Sequence, residues 1–415
     1  MNQIYNIAIY IARFFLKIIA HFNKKINLFV SGRKETFNKI DTNILPNDQV
    51  IWFHCASLGE FEQGRPIIEK LKSLYPDHKI VLTFFSPSGY EVQKNYPLAD
   101  VICYLPLDTK ANAKRFLKSV HPKIAVFVKY EFWPNLLNEL KNRNIETILI
   151  SGIFRKNQIF FKARGTWMRK SLKAFTHFFV QNKESEKLLK QIGLDHITIS
   201  GDTRFDRVYQ IIKMDNQLSF IEDFIQNKYT LVAGSTWPED EEILVDYINN
   251  SSSDHEKFII APHNISDKII RELQNSIHKK SILFSDEEKD NTAQVFIVDT
   301  VGILTKIYSY ADASYIGGGF GSEGVHNVLE PATFGMPLVI GPIYYQFQEA
   351  VDLVNLKACE VVNNKEELGL YLSKLFNNLD YRKEKGELTK QYINSNIGAT
   401  EIILEYISHK FSDIL

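Results

Sequence analysis

Short apolar segments alternate with amphipathic helical patterns along most of the chain, in two series. The first series of predicted strands covers residues 50–53, 80–84, 101–104, 124–128, 147–150, 175–180 and 196–199. The second covers residues 229–233, 258–261, 281–284, 294–298, 313–316 and 338–340. These segments are short, rich in β-branched or aromatic residues, and mostly followed by a helical pattern. The alternation predicts an α/β fold of parallel sheets wrapped by helices.

A polar helical stretch without a strand, residues 206–228, separates the two series. We place a domain boundary there, which predicts doubly wound, Rossmann-like domains at 31–212 and 213–395 and a C-terminal helix, 396–415, packed near their junction. A chain of 415 residues is long enough for two cores. Doubly wound domains bind ligands outside the carboxyl ends of their strands, so both sets of loops are expected to face one central cleft.

Residues 4–20 are the one candidate membrane segment in the sequence. At about 100° per residue, Asn6, Arg13, Lys17 and Lys24 share a narrow polar stripe on an otherwise apolar helix. Charges within the segment, and no small-residue cleavage site behind it, exclude a secretory signal peptide. Residues 1–30 are therefore predicted to be a monotopic anchor with a basic flank, lying on the cytoplasmic leaflet. A buried terminal helix is the alternative.

The overall charge and the cysteines exclude several kinds of partner. The 49 Lys and Arg residues balance 49 Asp and Glu residues, so no global field recruits nucleic acid. Cys55, Cys103 and Cys359 are too few and too scattered for a disulfide framework or a CxxC metal site. We expect each to be a small buried residue, and we expect no metal site.

A glycine-rich segment at residues 317–337 follows a predicted strand. Backbone N–H groups of Gly319, Gly321 and Gly324 are expected to approach an anion, and a following helix is expected to point its N-terminus at the same place. That helix would bury one stripe, formed by Val325, Val328, Leu329 and Ala332. Glu330 then lies off the stripe, available to a ligand. An ordinary glycine-rich turn before a helix is the alternative.

Polar residues follow the first and fourth predicted strands. Ser57 and Glu60 have the spacing of a capping box, which is the structural explanation for them. Because they lie at a strand end, the carboxylate of Glu60 is also a candidate general base for transfer of a group onto a hydroxyl. Glu131 ends the fourth strand just before Pro134, which is expected to begin a helix.

The second domain repeats this arrangement. Ser235 and Thr236 follow its first strand in a turn whose N–H groups are a candidate second anion contact. The acidic run at 239–242 is predicted to be the first turn of a helix rather than a metal cage. Pro262 and His263 end the next strand, where a lone histidine is either structural or faces a nucleotide.

With these pieces assembled, the chain resembles the Kdo transferases, the lipid A 3-deoxy-D-manno-octulosonic acid transferases of Gram-negative bacteria. The resemblance covers nearly the whole chain. It rests on WFHCASLGEFEQGRP (52–66), TFFSPSGYE (83–91), EFWPN (131–135), GDTRFDRV (201–208), AGSTWPEDEE (233–242) and GGGFGSEGVHNVLEPATFGMPLVIGP (317–342). It implies the glycosyltransferase B fold, with an N-terminal acceptor domain and a C-terminal CMP-sugar-binding domain.

The resemblance also implies an inverting, metal-independent enzyme at the cytoplasmic face of the cell inner membrane. Its substrates would be the donor CMP-Kdo and a lipid A precursor, with no further cofactor. Glu60 stands at the position of the general base, and Ser57, Gly59, Glu131 and Arg155 are expected on the acceptor side. The residues expected to bind the CMP-sugar are Ser235, Thr236, Pro262, His263, Gly318, Gly319, His326, Asn327 and Glu330, with Glu330 on the ribose hydroxyls.

One departure from the family concerns the donor phosphate. The family usually has Pro-Arg-His where this chain has Pro262, His263 and Asn264, so an arginine is missing; the candidates to replace it are Lys268, Arg271 and Arg204. Two other functions stay open: a nucleotide-sugar epimerase of related fold, and a non-catalytic nucleotide-sugar binding protein tethered to the membrane.

Overall fold

The chain folds into two compact units, each built on one parallel sheet. The structure is a computed structural model and describes residues 2–287 and 290–414. Unit 1 comprises Met1–Arg207 and Ile397–Leu415, and unit 2 comprises Val208–Asn396. The division falls a few residues before the boundary predicted at 212.

The sheet of unit 1 has the strand order β3-β2-β1-β4-β5-β6-β7. Its strands are β1 (Val50–Cys55), β2 (Lys79–Phe84), β3 (Val101–Tyr104), β4 (Ile124–Val128), β5 (Glu146–Gly152), β6 (His177–Val180) and β7 (Ile197–Ile199). Its helices are α1 (Asn2–Ile19), α2 (Lys24–Gly32), α3 (Thr36–Asn43), α4 (Leu58–Leu74), α5 (Pro87–Gln93), α6 (Lys110–Val120), α7 (Pro134–Asn142), α8 (Thr166–Leu172), α9 (Lys183–Gln191) and the start of α10 (Thr203–Ile211). Every strand predicted for this half is confirmed.

Both faces of this sheet are covered, which is why its strands are almost continuously apolar. Trp52 and Phe127 belong to the core on one face, whereas Phe53 and Val126 belong to the core on the other. The parallel register pairs Phe53 with Leu82 on one side and with Val126 on the other. His54 is a fully buried polar residue within β1, so its ring must find partners inside the protein.

The sheet of unit 2 has the order β10-β11-β9-β8-β12-β13-β14. Its strands are β8 (Tyr229–Thr236), β9 (Glu256–Pro262), β10 (Ser281–Leu283), β11 (Val295–Ile297), β12 (Ala313–Ile316), β13 (Leu338–Ile340) and β14 (Cys359–Val361). The remaining helices are α11 (Ser219–Ile225), α12 (Pro238–Asn250), α13 (Asp267–Ser276), α14 (Leu304–Ile307), α15 (Leu329–Thr333), α16 (Gln348–Asn355), α17 (Lys365–Asn377), α18 (Leu379–Asn396) and α19 (Ala399–Ile414). Strand β14 was not predicted, because it has an exposed, charged residue at its centre, Glu360, instead of an apolar run.

The C-terminal helix α19 belongs to unit 1. Ile403 and Ile407 are fully buried in the same core as residues of α4. The carboxylate of Asp206 accepts hydrogen bonds from the backbone N–H groups of Gly398, at 2.5 Å, and Thr400, at 2.7 Å. Asp206 therefore satisfies donors at the start of α19, which gives this part of the GDTRFDRV motif a structural role.

Helix α1 lies on unit 1 with its polar side inward. The hydroxyl of Tyr5 donates to Asp108 at 2.8 Å, and Nδ2 of Asn135 donates to Asn6 at 2.7 Å. The apolar side chains on the other side are exposed, with Ile4 at 64% and Phe14 at 62%. The helix is therefore not a buried terminal helix. Among the described residues, no helix is both long and apolar enough to cross a membrane.

Candidate active site

The loop between β1 and α4 fixes the carboxylate of Glu60. Its Oε2 atom accepts hydrogen bonds from the backbone N–H of Ser57, at 3.1 Å, and from the Ser57 hydroxyl. In the described part of the chain, Oε1 has no hydrogen-bond partner. The carboxylate is half-buried at the carboxyl end of β1, and Gly59 beside it is exposed. The capping interaction is thus present, and it orients Glu60 while leaving one oxygen available to accept a proton.

A second carboxylate, Glu131, is held by the buried ring of His54 and the partly buried ring of Trp133. His54 Nε2 lies 2.9 Å from Oε2 of Glu131, and Nε1 of Trp133 donates to the same oxygen at 2.7 Å. The other ring nitrogen of His54 lies 2.9 Å from the hydroxyl of Thr83. With Nε2 donating to the carboxylate, Nδ1 accepts from Thr83. Glu131 therefore has a structural role in satisfying buried His54, which the sequence analysis missed.

Tyr130 connects Arg155 to this end of the sheet. The Arg155 guanidinium lies 5.7 Å from the centre of the Tyr130 ring. Burial raises the pKa of Tyr130; the charge of Arg155 lowers it, and that of Glu60 raises it. The phenol is thus close enough to both charged groups to interact with them. Arg155 and Glu60 were predicted from the sequence, whereas Tyr130 was not. Tyr130 follows β4, as Glu131 does, so its position at a strand end could have indicated it.

In unit 2, three rings stack at the carboxyl ends of adjacent strands. The ring centres of Trp237 and His263 are 4.6 Å apart at an interplanar angle of 14°, and those of His263 and His326 are 4.6 Å apart. Nε1 of Trp237 donates to Nε2 of His326 at 3.1 Å. Burial, and then the neighbouring His263, lower the pKa of His326. His263 is exposed on this stack, at the position where the family usually has arginine.

Asp240 joins the first turn of α12 to the glycine segment. Its carboxylate accepts from the backbone N–H groups of Trp237, at 2.9 Å, and Gly318, at 2.8 Å, and from the hydroxyl of Tyr315 at 2.7 Å. Burial raises the pKa of this fully buried aspartate. The prediction that residues 239–242 open a helix is confirmed. In the described ranges, no cluster of three or more His, Cys, Asp or Glu side chains could hold a metal ion.

The glycine segment differs from its expected structure in two respects. First, most of the glycines are in close contact with other segments of the unit: a Cβ atom at Gly319 would lie 2.6 Å from Gly341, and one at Gly324 would lie 3.0 Å from the Phe347 ring. The N–H of Gly318 is taken by Asp240, and that of Gly321 donates to the Gly318 carbonyl at 3.1 Å. Small residues are needed here for close packing between segments of the unit.

Second, the helix after the glycines is shorter than predicted. Helix α15 has five residues and begins at Leu329, although the four residues predicted for its core stripe are all buried. Asn327 accepts from the N–H of Leu329 at 3.1 Å, and Pro331 occupies the first turn, where its missing N–H is tolerated. Both oxygens of Glu330 are partnered, with Thr305 at 2.7 Å and Asn327 at 3.0 Å.

The remaining candidate residues are distributed over both units. Ser235 has a left-handed backbone conformation, with φ of 54°, and the Thr236 hydroxyl donates to Glu241 at 2.9 Å. Pro262 ends β9. Arg204, proposed as a substitute for the missing arginine, lies in unit 1 and pairs with Asp202 at 2.9 Å.

Comparison with known proteins shows which enzymes this chain is similar to. Residues 31–207 match the family model described as 3-deoxy-D-manno-octulosonic-acid transferase (kdotransferase). The chain is 29% identical over 340 residues to the 3-deoxy-D-manno-octulosonic acid transferase of Aquifex aeolicus, an alignment that covers 80% of this chain and 87% of that protein. Residues 31–207 thus carry the domain of the Kdo transferases, and the similarity to these enzymes extends over most of the chain. A second family member, from Haemophilus influenzae, is 26% identical over 381 residues, covering 87% of each chain.

Another relative of this chain is longer. A bifunctional glycosyltransferase/methyltransferase of Fusobacterium nucleatum is 26% identical over 355 residues, which are 82% of this chain but 53% of that protein. The present chain thus corresponds to about half of that protein. Helix α1 precedes the segment that the family model matches, whereas Glu60 and Glu131 lie inside it.

Similar solved structures place this chain in the glycosyltransferase B fold. A UDP-GlcNAc 2-epimerase from Neisseria meningitidis matches with a TM-score of 0.61 at 14% identity, covering 87% of this chain and 100% of that one. MurG from Acinetobacter baumannii matches with a TM-score of 0.54 at 11% identity, covering 87% and 99%. At these identities the likeness shows the fold alone, and it confirms the predicted class of two doubly wound α/β units.

Proposed function

We propose that this protein is an inverting glycosyltransferase that transfers Kdo from CMP-Kdo to a lipid A precursor, with Glu60 as the general base. Similarity to the family supports transfer of Kdo, because the relatives from Aquifex aeolicus and Haemophilus influenzae are 3-deoxy-D-manno-octulosonic acid transferases. The observation that carries the role of Glu60 is its asymmetric hydrogen bonding: Ser57 holds Oε2, and Oε1 has no partner among the described residues.

The proposed step consists of one proton transfer and one displacement. An acceptor hydroxyl gives its proton to Oε1 of Glu60 as its oxygen attacks the anomeric carbon of Kdo from the face opposite CMP. The bond from that carbon to the CMP phosphate oxygen breaks, and CMP leaves with the electron pair. One displacement inverts the anomeric configuration. In this proposal the carboxylate supplies the base, and no metal or further cofactor takes part.

The donor is proposed to bind to unit 2 beside the stack of Trp237, His263 and His326. Exposed His263 gives the nucleotide a polar, ring-shaped neighbour where an arginine is missing, and its protonated form would attract the donor phosphate. Each oxygen of Glu330 already accepts one hydrogen bond and keeps a lone pair for a ribose hydroxyl. Asp240 supports this region from behind by fixing Gly318 and Trp237.

The orientation of α1 supports monotopic attachment to the cytoplasmic face of the inner membrane. A helix on a water-soluble surface normally buries its apolar side, yet α1 binds unit 1 through Tyr5 and Asn6 and exposes Ile4, Phe14 and Phe15. An exposed apolar face beside basic residues is suited to the boundary between lipid headgroups and acyl chains. Substituting serine for exposed residues of this face should release the protein from membranes while leaving it folded, as measured by flotation with vesicles and circular dichroism.

One incubation tests the proposed reaction. The protein is mixed with CMP-Kdo and lipid IVA in the presence of a metal chelator, and the lipid is analysed by mass spectrometry and its anomeric configuration by NMR. A Kdo-bearing lipid of inverted configuration is the expected product. Conversion of a nucleotide-sugar to an epimer without transfer would instead establish the epimerase, and ligand binding without turnover would establish a binding protein.

A further inference from the structure

A pocket of about 370 Å³ lies in unit 1 between α1, α2, α3 and the segment that follows β3. Its cationic lining residues are Arg13, Lys17, Arg33, Lys34 and Arg115. Among the residues that the structure describes, no aspartate or glutamate lines it. Several helices thus bring positive charges together around one pocket. The repulsion between these charges is unfavourable unless an anion neutralises them.

Three of these cations have no carboxylate partner in the part of the chain that the structure describes. They are Arg13, Lys17 and Lys34, and all three side chains are exposed. Arg115 lies 3.4 Å from Asp41 in an exposed ion pair, and its guanidinium stacks on Phe37. The pocket is therefore lined by positive charges that the protein itself largely leaves uncompensated.

Arg33 is different, because it forms the base of the pocket. Its guanidinium lies over the Phe29 ring and donates to the carbonyl oxygens of Phe29 and Phe85, both at 2.8 Å. Burial lowers the pKa of Arg33 to about 9, so it stays cationic at neutral pH. Its Nε is buried without a hydrogen-bond partner in the described ranges. A buried guanidinium whose Nε–H lacks an acceptor favours an anionic ligand over water.

The same pocket has an apolar wall, formed by Leu16, Phe29, Val30, Phe37, Pro106 and Leu107. It is also contiguous with the exposed apolar face of α1, since Arg13 and Leu16 of that helix line it. A small inorganic anion would use only the charges. A molecule that carries both a phosphate and acyl chains uses the charges, the wall and the exposed face together.

The pocket and the loop of Glu60 lie on the same edge of one sheet. Arg33 donates to the carbonyl of Phe85, and the N–H of the next residue, Ser86, donates to Ala56 at 2.7 Å. Ala56 directly precedes the loop of residues 57–60. Phe85 follows β2, and Pro106 follows β3, so these segments lie one and two strands from the end of β1, or about 5 and 10 Å.

We propose that this pocket binds the phosphorylated, acylated end of the glycolipid acceptor, and that α1 is a wall of the acceptor site as well as a membrane contact. The proposal rests on the proposed function, because that function supplies an acceptor with phosphates. It assigns Arg13 and Lys17, on the polar stripe of α1, to phosphate recognition. A second pocket of about 280 Å³ shares Lys17 and Lys34 with the first and extends the cationic surface.

Steady-state transfer in neutral detergent micelles tests whether the pocket binds the acceptor. Without an anionic bilayer, the cations of α1 can act only on the acceptor and not on membrane lipids. The variant is Arg13→Ala/Lys17→Ala, and the matched control is Lys114→Ala/Lys118→Ala, which removes two exposed charges of the same unit that do not line the pocket. For lipid IVA we expect the KM of the variant to rise about tenfold or more, with kcat and the KM for CMP-Kdo unchanged. The control should match the wild type.

A dephosphorylated acceptor makes the test specific. Wild type and variant should use it equally poorly, because the lost phosphate and the lost cations belong to one interaction. The proposal is overturned if the variant keeps the wild-type KM, if the control loses as much, or if the variant loses only vesicle binding, which would assign the cations to the bilayer. Should the wild type transfer nothing, binding of fluorescent lipid IVA in micelles tests the pocket separately: weaker binding by the variant supports it, and equal binding overturns it.

Discussion

Ser57 donates two hydrogen bonds to a single oxygen of Glu60, one from its backbone N–H and one from its hydroxyl. The same contact therefore begins helix α4 and orients the carboxylate. A capping interaction and a catalytic role are compatible here, because the cap uses Oε2 and leaves Oε1 available.

Ser57→Ala tests that dual role. Loss of the hydroxyl should lower the free energy of unfolding by about 1 kcal/mol, since one bond of the cap is removed. It should also lower kcat without changing the KM for CMP-Kdo, because the remaining N–H holds Glu60 less firmly. Thermal unfolding and steady-state kinetics measure both effects. Ser57→Thr keeps a hydroxyl and should restore both; a fall in stability with unchanged kcat would leave Ser57 a helix cap alone.

Two substitutions of Glu131 separate its structural role from its charge. Glu131→Ala leaves buried His54 and the Trp133 N–H without an acceptor, so unfolding should become about 1–3 kcal/mol easier. Glu131→Gln keeps a carbonyl oxygen for both donors and should keep the wild-type melting temperature. Any loss of transfer in that variant then reports on the carboxylate charge. If Glu131→Ala melts like the wild type, the contacts with His54 and Trp133 are not stabilising.

Asp240 makes the stability of the protein depend on pH. Burial raises its pKa in the folded state, so the folded protein holds a proton that the unfolded chain has already released. Stability from this group is complete below the ordinary aspartate pKa near 3.8 and is lost as pH rises through the raised value. Asp240→Asn removes the titration, so its stability relative to wild type should increase with pH over that window, by at most about 1.4 kcal/mol per pH unit. Urea unfolding of both proteins at several pH values measures this, and a constant difference would contradict it.

His263→Arg tests the position where the family's arginine is missing. A guanidinium is always charged and binds phosphate in a bidentate manner. We therefore expect a lower KM for CMP-Kdo than with histidine. His263→Ala should raise the KM, and the acceptor KM should not change in either variant. An unchanged donor KM in both variants would place the phosphate away from the ring stack.

The sheets could be predicted from sequence because parallel strands covered on both faces are nearly continuous apolar runs. The residues at the strand ends followed from that topology, including Glu60, Glu131 and His263. Strand β14 was not predicted because the charged, exposed Glu360 interrupts its apolar pattern. Tyr130 and His54 were not predicted because their roles depend on contacts with residues distant in sequence. His54 is the polar residue of an apolar strand, and its role is evident only from its contact with Glu131.

The glycine segment shows what a local pattern cannot decide. Gly319 is small because Gly341 packs against it, a contact between residues distant in sequence. The N–H of Gly321 was expected to approach an anion but donates to the Gly318 carbonyl. Similarly, Lys24 was expected on the same polar stripe as Asn6 and Arg13, but α1 ends at Ile19 and Lys24 begins α2. The sequence also did not reveal that Asn6 contacts unit 1 and that Arg13 lines a pocket.

The single-turnover rate of Kdo transfer by Glu60→Gln tests whether Glu60 is the general base. Enzyme in excess is mixed with CMP-Kdo and lipid IVA, product lipid is followed by mass spectrometry, and CMP binding is measured by calorimetry on the same preparation. We expect the rate to fall by about 10²–10⁴-fold with CMP affinity unchanged. A rate close to that of the wild type, with CMP bound normally, would contradict the account and remove Glu60 from the reaction.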